Sequence, residues 1–136
     1  MSFINVWIHA VWTTKNKEPI LTRSALYKIC GHIRDNADKN NIHVNFINGV
    51  ETHVHCLISM KSIHSIAEVL NQIKGESSHW INESGLFKSH FEWQNDYYAA
   101  SVSPWEVRKI REYIRNQQKH HKTQTLDDEN KLLFGK

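Results

Sequence analysis

The sequence predicts an α+β fold of the ferredoxin-like, RNA-recognition-like type: an antiparallel sheet in β-α-β-β-α-β order, followed by a further helix at the C-terminal end. Three observations carry that expectation. The hydrophobic pattern alternates between periods of about 2 and about 3.6 residues in that order. Two short apolar runs in the middle of the chain are separated only by Glu51 and Thr52, the spacing of a hairpin. A Ser-Pro-x-Glu start introduces a last, basic helical segment. At 136 residues the chain holds one domain with a proper apolar core and is too short to divide convincingly into two.

Residues 3 to 13 (FINVWIHAVWT) are rich in aromatic and β-branched types with rough alternation, and the polar TKNKEP stretch ends them. This predicts the first strand. Residues 23 to 40 place Leu26, Ile29, Cys30, Ile33 and Ala37 at helical spacing before a polar decay, which predicts the first helix. His43 to Val50 and His53 to Met60 read as strands two and three. Ile63 to Ile81 carries Ile66, Val69, Leu70, Ile73 and Trp80 at helical spacing, with Gly85 as its stop. A weakly patterned stretch, 87 to 96, leads to a fourth strand, Tyr97 to Val102. Ser103-Pro104-Trp105-Glu106 then reads as a capping box, with proline where its missing N–H costs least, and a third helix begins there. Two helices are expected on one face of the sheet, leaving the other face open. Residues 123 to 136 form a polar tail with a small apolar end, Leu132 to Phe134, and receive no assignment.

Composition narrows the function classes. The chain has 40% apolar residues with only five Gly and two Pro, which excludes low complexity. Cys30 and Cys56 lack C-x-x-C spacing and make no disulfide framework, so they are expected to be reduced in a cytoplasmic protein. No run approaches the roughly 18 apolar residues of a membrane span, and residues 1 to 12 are too polar for a signal peptide. The net charge of +3 permits a polyanionic partner without demanding one. The basic residues are uneven: Arg108, Lys109, Arg111, Arg115, Lys119 and Lys122 are opposed locally by Glu112 alone, and that segment can face phosphate.

The chemistry is concentrated in two places. His53-Val54-His55 lies in the third strand, where alternation sends both imidazoles to one face and Val54 to the core. Two neutral nitrogens aimed at one spot make a chelate for a divalent ion with positions left for oxygen ligands. A chain with ten histidines contains some such triplets by chance, and a solvated pair is the blander reading. On the last helix, Tyr113 and Gln117 stand one turn apart on one face. Tyrosine beside the apolar stripe of Val107, Ile110 and Ile114 is ordinarily packing, and glutamine on a basic helix is ordinarily solvated. In the alternative reading, Tyr113 is a nucleophile beside the ion, and the Gln117 amide oxygen completes the coordination.

With these residues placed, the chain resembles the single-tyrosine HUH transposases of hairpin-ended bacterial insertion sequences. Residues 49 to 58 (GVETHVHCLI) resemble the family's metal-binding strand and residues 97 to 103 (YYAASVS) the strand before its catalytic helix. Residues 113 to 117 (YIRNQ), with His120-His121-Lys122 after them, resemble that helix. The similarity runs in order from about Phe3 to Leu133, and family chains usually continue past the position of Phe134. The resemblance implies that Tyr113 is the nucleophile, that His53, His55 and Gln117 hold Mg²⁺ or Mn²⁺, and that single-stranded DNA is cut beside imperfect hairpins. It also implies a homodimer in which the nucleophile helix of one subunit serves the histidines of the other.

Candidate DNA contacts are Lys74, Ser77 and Ser78 on the second helix and Arg111, Arg115, Lys119, His120 and His121 on the last, each weighed against an ordinary solvated face. Trp80 and Trp93 are candidates for stacking on unpaired bases, against a role in the core or a dimer interface. Two other readings stand beside the transposase. One is a domesticated nuclease of the same fold acting on repeated palindromes. The other is a non-catalytic RNA- or single-strand-binding module, for which the sequence has no aromatic and glycine motif of the RNA-recognition type.

Overall fold

The computed structural model describes residues 3–121 and Leu126, with the backbone alone for His120 and His121. The Leu132 to Phe134 tail and Lys122 lie outside the described residues. In chain order the elements are β1 (Val6–Thr13), α1 (Arg23–Lys39), β2 (His43–Gly49), β3 (His53–Met60), α2 (Ile66–Ser84), β4 (Tyr98–Val102), α3 (Val107–Arg115) and α4 (Gln117–His121). The sheet is antiparallel in the order β2-β3-β1-β4, the split arrangement that the pattern predicts.

Strict alternation in the two central strands creates two unlike faces. Ile8, Ala10 and Trp12 of β1 and Val54, Cys56 and Ile58 of β3 meet α1 and α2 in one apolar core. His9, Val11 and Thr13, paired with Leu57, His55 and His53, occupy the opposite face. That face was expected to be open. Instead α3 lies on it, because Val107 and Ile114 pack with Leu57 and Val102 in a second, smaller apolar cluster.

Helix boundaries follow their caps. Thr22 caps α1 by accepting from the Ala25 N–H at 3.1 Å. α2 starts at Ile66, three residues later than expected, because Ser65 caps it by accepting from the Glu68 N–H at 3.1 Å, and its hydroxyl donates to the Glu68 carboxylate at 3.1 Å. It ends at Gly85, whose φ of 67° is the left-handed cap that glycine adopts without penalty. The capping box expected at Ser103 does not form. Pro104–Glu106 is a 3-10 turn in which the Glu106 N–H bonds to the Ser103 carbonyl at 2.8 Å, so that donor is taken by backbone instead of hydroxyl. The last helix, expected to be continuous, breaks at Asn116 between α3 and α4.

Residues 87 to 96 show no period because they are irregular, yet they are tightly held. Trp93 meets Trp12 edge-on, with ring centroids 6.0 Å apart, and Phe91 at 4.7 Å. The Asn82 side chain brackets the Phe91 backbone, donating to its carbonyl at 3.0 Å and accepting from its N–H at 2.8 Å.

Candidate active site

The β2–β3 hairpin delivers His53 and His55, and its turn is fixed from three sides. Gly49 sits against the returning strand so closely that a Cβ there would lie 2.4 Å from the His53 carbonyl oxygen, so only glycine fits. The Leu21 N–H bonds to the Glu51 carbonyl at 3.0 Å and the Thr14 N–H to the Thr52 carbonyl at 2.9 Å, tying the turn to the chain leaving β1. Both imidazoles are fully buried, at 0% and 1% exposure, on the face that α3 covers.

Each ring is oriented through its Nδ1. Thr52 Oγ1 lies 2.9 Å from His53 Nδ1, and His9 Nε2 lies 2.8 Å from His55 Nδ1. With a proton on each Nδ1 donated to these acceptors, the tautomer that results presents Nε2 as the lone-pair nitrogen of both rings. The ring centroids of His53 and His55 are 5.2 Å apart. His9 was not anticipated, although a signal was there: in the alternating run of β1 it is the one histidine among apolar residues, and period two places it on the face of Thr13.

α3 and α4 bring the other two groups. Val107, Ile110, Ile114 and Gln117 follow the 3-4-3 spacing of a single stripe, so Gln117 occupies the position where another apolar residue would be expected. It is fully buried. Tyr113, half-buried at the edge of that stripe, places its ring 6.0 Å from the His55 ring at 67°. Asn48, the β2 partner of His55, donates from Nδ2 to the carbonyls of Ile114 at 3.1 Å and Arg115 at 3.2 Å. It caps the end of α3 beside Tyr113. Gln118 Nε2 adds a 3.2 Å bond to the Gly49 carbonyl, joining the helix end to the hairpin turn.

The sequence-derived DNA contacts fall into two groups. Lys74 is buried and donates to the carbonyls of Gln94, Asn95 and Asp96 at 2.8, 2.9 and 3.1 Å. Burial lowers its pKa, with nearby Asp96 opposing. Ser77 is fully buried, accepting from Trp93 Nε1 at 2.9 Å and donating to the Lys74 carbonyl at 3.2 Å. Both side chains, expected as phosphate contacts, are placed here against the 87–96 segment, which they hold in place. Ser78 bonds back to the Gly75 carbonyl at 3.1 Å. Arg111 donates to Asn45 Oδ1 at 2.8 Å, where β2 bulges between Val44 and Phe46. Arg115 and Lys119 are exposed, and the side chains of His120 and His121 lie outside the described residues. Trp93 belongs to the core and Trp80 stacks on His32 with centroids 4.1 Å apart, so neither is a free stacking platform. The exposed tryptophan is Trp105.

A divalent ion fits the donor chemistry of this centre: two imidazoles with their Nδ1 atoms held from behind, and one buried amide. Among the described residues no group of three or more His, Cys, Asp and Glu side chains is arranged to hold an ion. The buried residues that could hold an ion on this face are His53 and His55, with the Gln117 amide as a further oxygen donor. Among the described residues no helix is long and apolar enough to cross a membrane.

A family model described as IS200-like transposase matches residues 2–117. Among solved structures, a candidate transposase from Deinococcus radiodurans R1 superposes with a TM-score of 0.69 at 21% identity, covering 85% of this chain and 93% of that one. A REP-associated tyrosine transposase bound to a REP hairpin gives a TM-score of 0.63 at 17% identity, covering 89% of this chain and 72% of that one. Likeness at these identities concerns the fold. No curated protein matches the sequence.

Proposed function

The chain belongs to the IS200-like transposase family, and from that premise we propose that it cuts and rejoins single-stranded DNA beside hairpins through a 5′-phosphotyrosine intermediate on Tyr113. The observation that carries this reading is the Tyr113 ring packed 6.0 Å from His55, whose Nδ1 is held from behind by His9.

The Tyr113 phenolic oxygen attacks the scissile phosphorus, the P–O3′ bond breaks, and the leaving 3′ oxygen gains the proton that the phenol gives up. The phosphotyrosine ester conserves the bond, so a 3′ hydroxyl from another end can attack it and restore the phenol without ATP. A phenol with an ordinary pKa of about 10 attacks poorly unaided. Mg²⁺ or Mn²⁺ bound by His53, His55 and Gln117 would polarise the phosphate and stabilise the leaving oxygen. The task of the chain is positioning: the hairpin fixes the imidazoles, and the α3 stripe fixes Tyr113 and Gln117 on the same sheet.

The resemblance leads to the expectation that the nucleophile helix of one subunit serves the partner. In the structure α3 lies on its own sheet, held by Val107 and Ile114 in the apolar cluster and by Asn48 at its end. We therefore propose that each chain carries a complete centre, and a homodimer would carry two. The test is incubation with single-stranded hairpin oligonucleotides from the DNA flanking the gene, with and without Mn²⁺. A denaturant-resistant protein–DNA adduct that needs the metal and disappears in Tyr113→Phe is expected. Binding without any adduct or nick across several ends would instead support a non-catalytic binding role.

A further inference from the structure

Between α1 and the β2 edge of the sheet runs a groove of about 860 Å³. One end starts at Asn48 and Arg115, beside the centre: Asn48 pairs with His55, and Arg115 is two residues beyond Tyr113. The groove passes along α1 under Arg23, Lys28, Arg34 and Arg115, and among the described residues its lining holds one acid, Asp35. Its floor is apolar, with Leu26, Cys30 and Phe46. Two of the cations come from different elements to one aromatic ring: Arg34 lies 6.0 Å and Arg115 5.3 Å from the Phe46 centroid. Arg115 also meets Glu112 at 2.8 Å, an exposed pair that a phosphate can displace. Tyr27, 84% exposed, stands on the rim.

Gly31 gives the groove its most specific feature. It lies inside α1, where glycine weakens a helix, and a Cβ there would meet nothing within 4 Å. Neither a turn nor close packing within the chain accounts for it. It lines the groove, and its bare backbone lets a flat group come down onto the helix.

We propose that this groove holds the unpaired nucleotides flanking the scissile phosphate, with bases against the apolar floor over Gly31 and phosphates against the cationic rim. The proposal rests on the single-stranded DNA reading of the centre and adds the path of the strand. An apolar floor suits unpaired bases, whose faces are available, better than a paired stem, whose bases are stacked inside the helix. The α1 contribution was not legible in the basic run of the last helix, because Arg23, Lys28 and Arg34 are spaced along a helix of mixed charge.

The test is fluorescence anisotropy of the whole chain in EDTA with two probes, an oligothymidylate long enough to span the groove and a blunt DNA hairpin. Gly31→Leu puts a side chain into the groove from a position where a Cβ meets nothing within 4 Å, and replaces glycine with a better helix former. It should weaken oligothymidylate binding by at least about tenfold, leave hairpin binding unchanged and not lower Tm. Lys28→Glu should weaken oligothymidylate binding and flatten its salt dependence by about one phosphate contact or more. Unchanged oligothymidylate affinity in both variants would overturn the groove, and equal losses for both probes would overturn the unpaired-strand assignment. Because binding is read without metal, a protein that shows the expected pattern yet forms no adduct would refute the cleavage reading alone. A wild-type chain that binds neither probe would refute both.

Discussion

The two faces of the sheet are built from the same strands by opposite rules. On the α1 and α2 face, β1 and β3 contribute Ile8, Ala10, Trp12, Val54, Cys56 and Ile58, and the packing is hydrocarbon. On the α3 face the intervening residues of those strands bury His9, His53 and His55, and α4 adds Gln117. Burying polar groups costs stability even when they are hydrogen-bonded, and volume-matched apolar residues often serve a core as well or better. The contrast teaches that the fold is stabilised mainly from the hydrocarbon face, and the buried polar groups of the α3 face are accounted for by the chemistry proposed above.

The largest expected effect comes from separating the parts of the α3 face. Tyr113→Phe and His55→Ala should each reduce adduct formation to below about a thousandth of wild type. On the proposed centre complete within one chain, an equimolar mixture of the two should recover nothing. Recovery in the mixture, read on a denaturing gel, would show that α3 crosses between subunits.

A paired substitution across the sheet comes next. Ile29→Ala, in the hydrocarbon core, should cost about 2–5 kcal/mol in denaturant unfolding. It should leave the metal affinity of the folded protein unchanged. Gln117→Met should do the reverse: stability equal to wild type or higher by about 1–2 kcal/mol, with weakened Mn²⁺ binding and cleavage. If Gln117→Met is as destabilising as Ile29→Ala, the amide is structural and the contrast between the faces fails.

His9 tests the support behind the centre. His9→Ala should weaken Mn²⁺ binding, followed by the free-ion EPR signal, by about 10–100-fold. His9→Gln, which keeps an acceptor for His55 Nδ1–H, should recover part of the loss. Equal weakening in both variants with lowered Tm would make His9 a packing residue.

The smallest effect lies on the hydrocarbon face. Burial pushes the Cys30 thiol up to about 12, with Arg34 opposing, and raises Cys56 further. Alkylation of the native protein at pH 8 should therefore run more than about a hundredfold slower than in denaturant. Fast labelling of Cys56 would reveal a looser core than the buried strands imply, whereas labelling of Cys30 would report access from the groove that it lines.

Much of this was legible in the sequence because periodicity reports which side of an element is buried. The alternation in residues 53 to 60 gave the face of both histidines, and the stripe of Val107, Ile110 and Ile114 gave the side of α3 that meets the sheet. What escaped depends on distance in space. His9 is paired with His55 across two strands, and Asn48 reaches carbonyls on α3, so neither contact has a local pattern. Lys74 and Ser77 read as surface groups, because lysine and serine are usually exposed. Their burial comes from the irregular 87–96 segment, which has no period to announce that it folds back over α2. The break at Asn116 was hidden because a helical stripe continues through it to Gln117.

The most direct measurement digests the covalent adduct formed with a single-stranded hairpin substrate and Mn²⁺ and identifies by mass spectrometry the side chain that carries the nucleotide. The expected result is a 5′-phosphotyrosine on Tyr113, formed only with the ion. A nucleotide on any other residue, or an adduct formed equally well in EDTA, would contradict a metal-assisted tyrosine nucleophile held against His53 and His55.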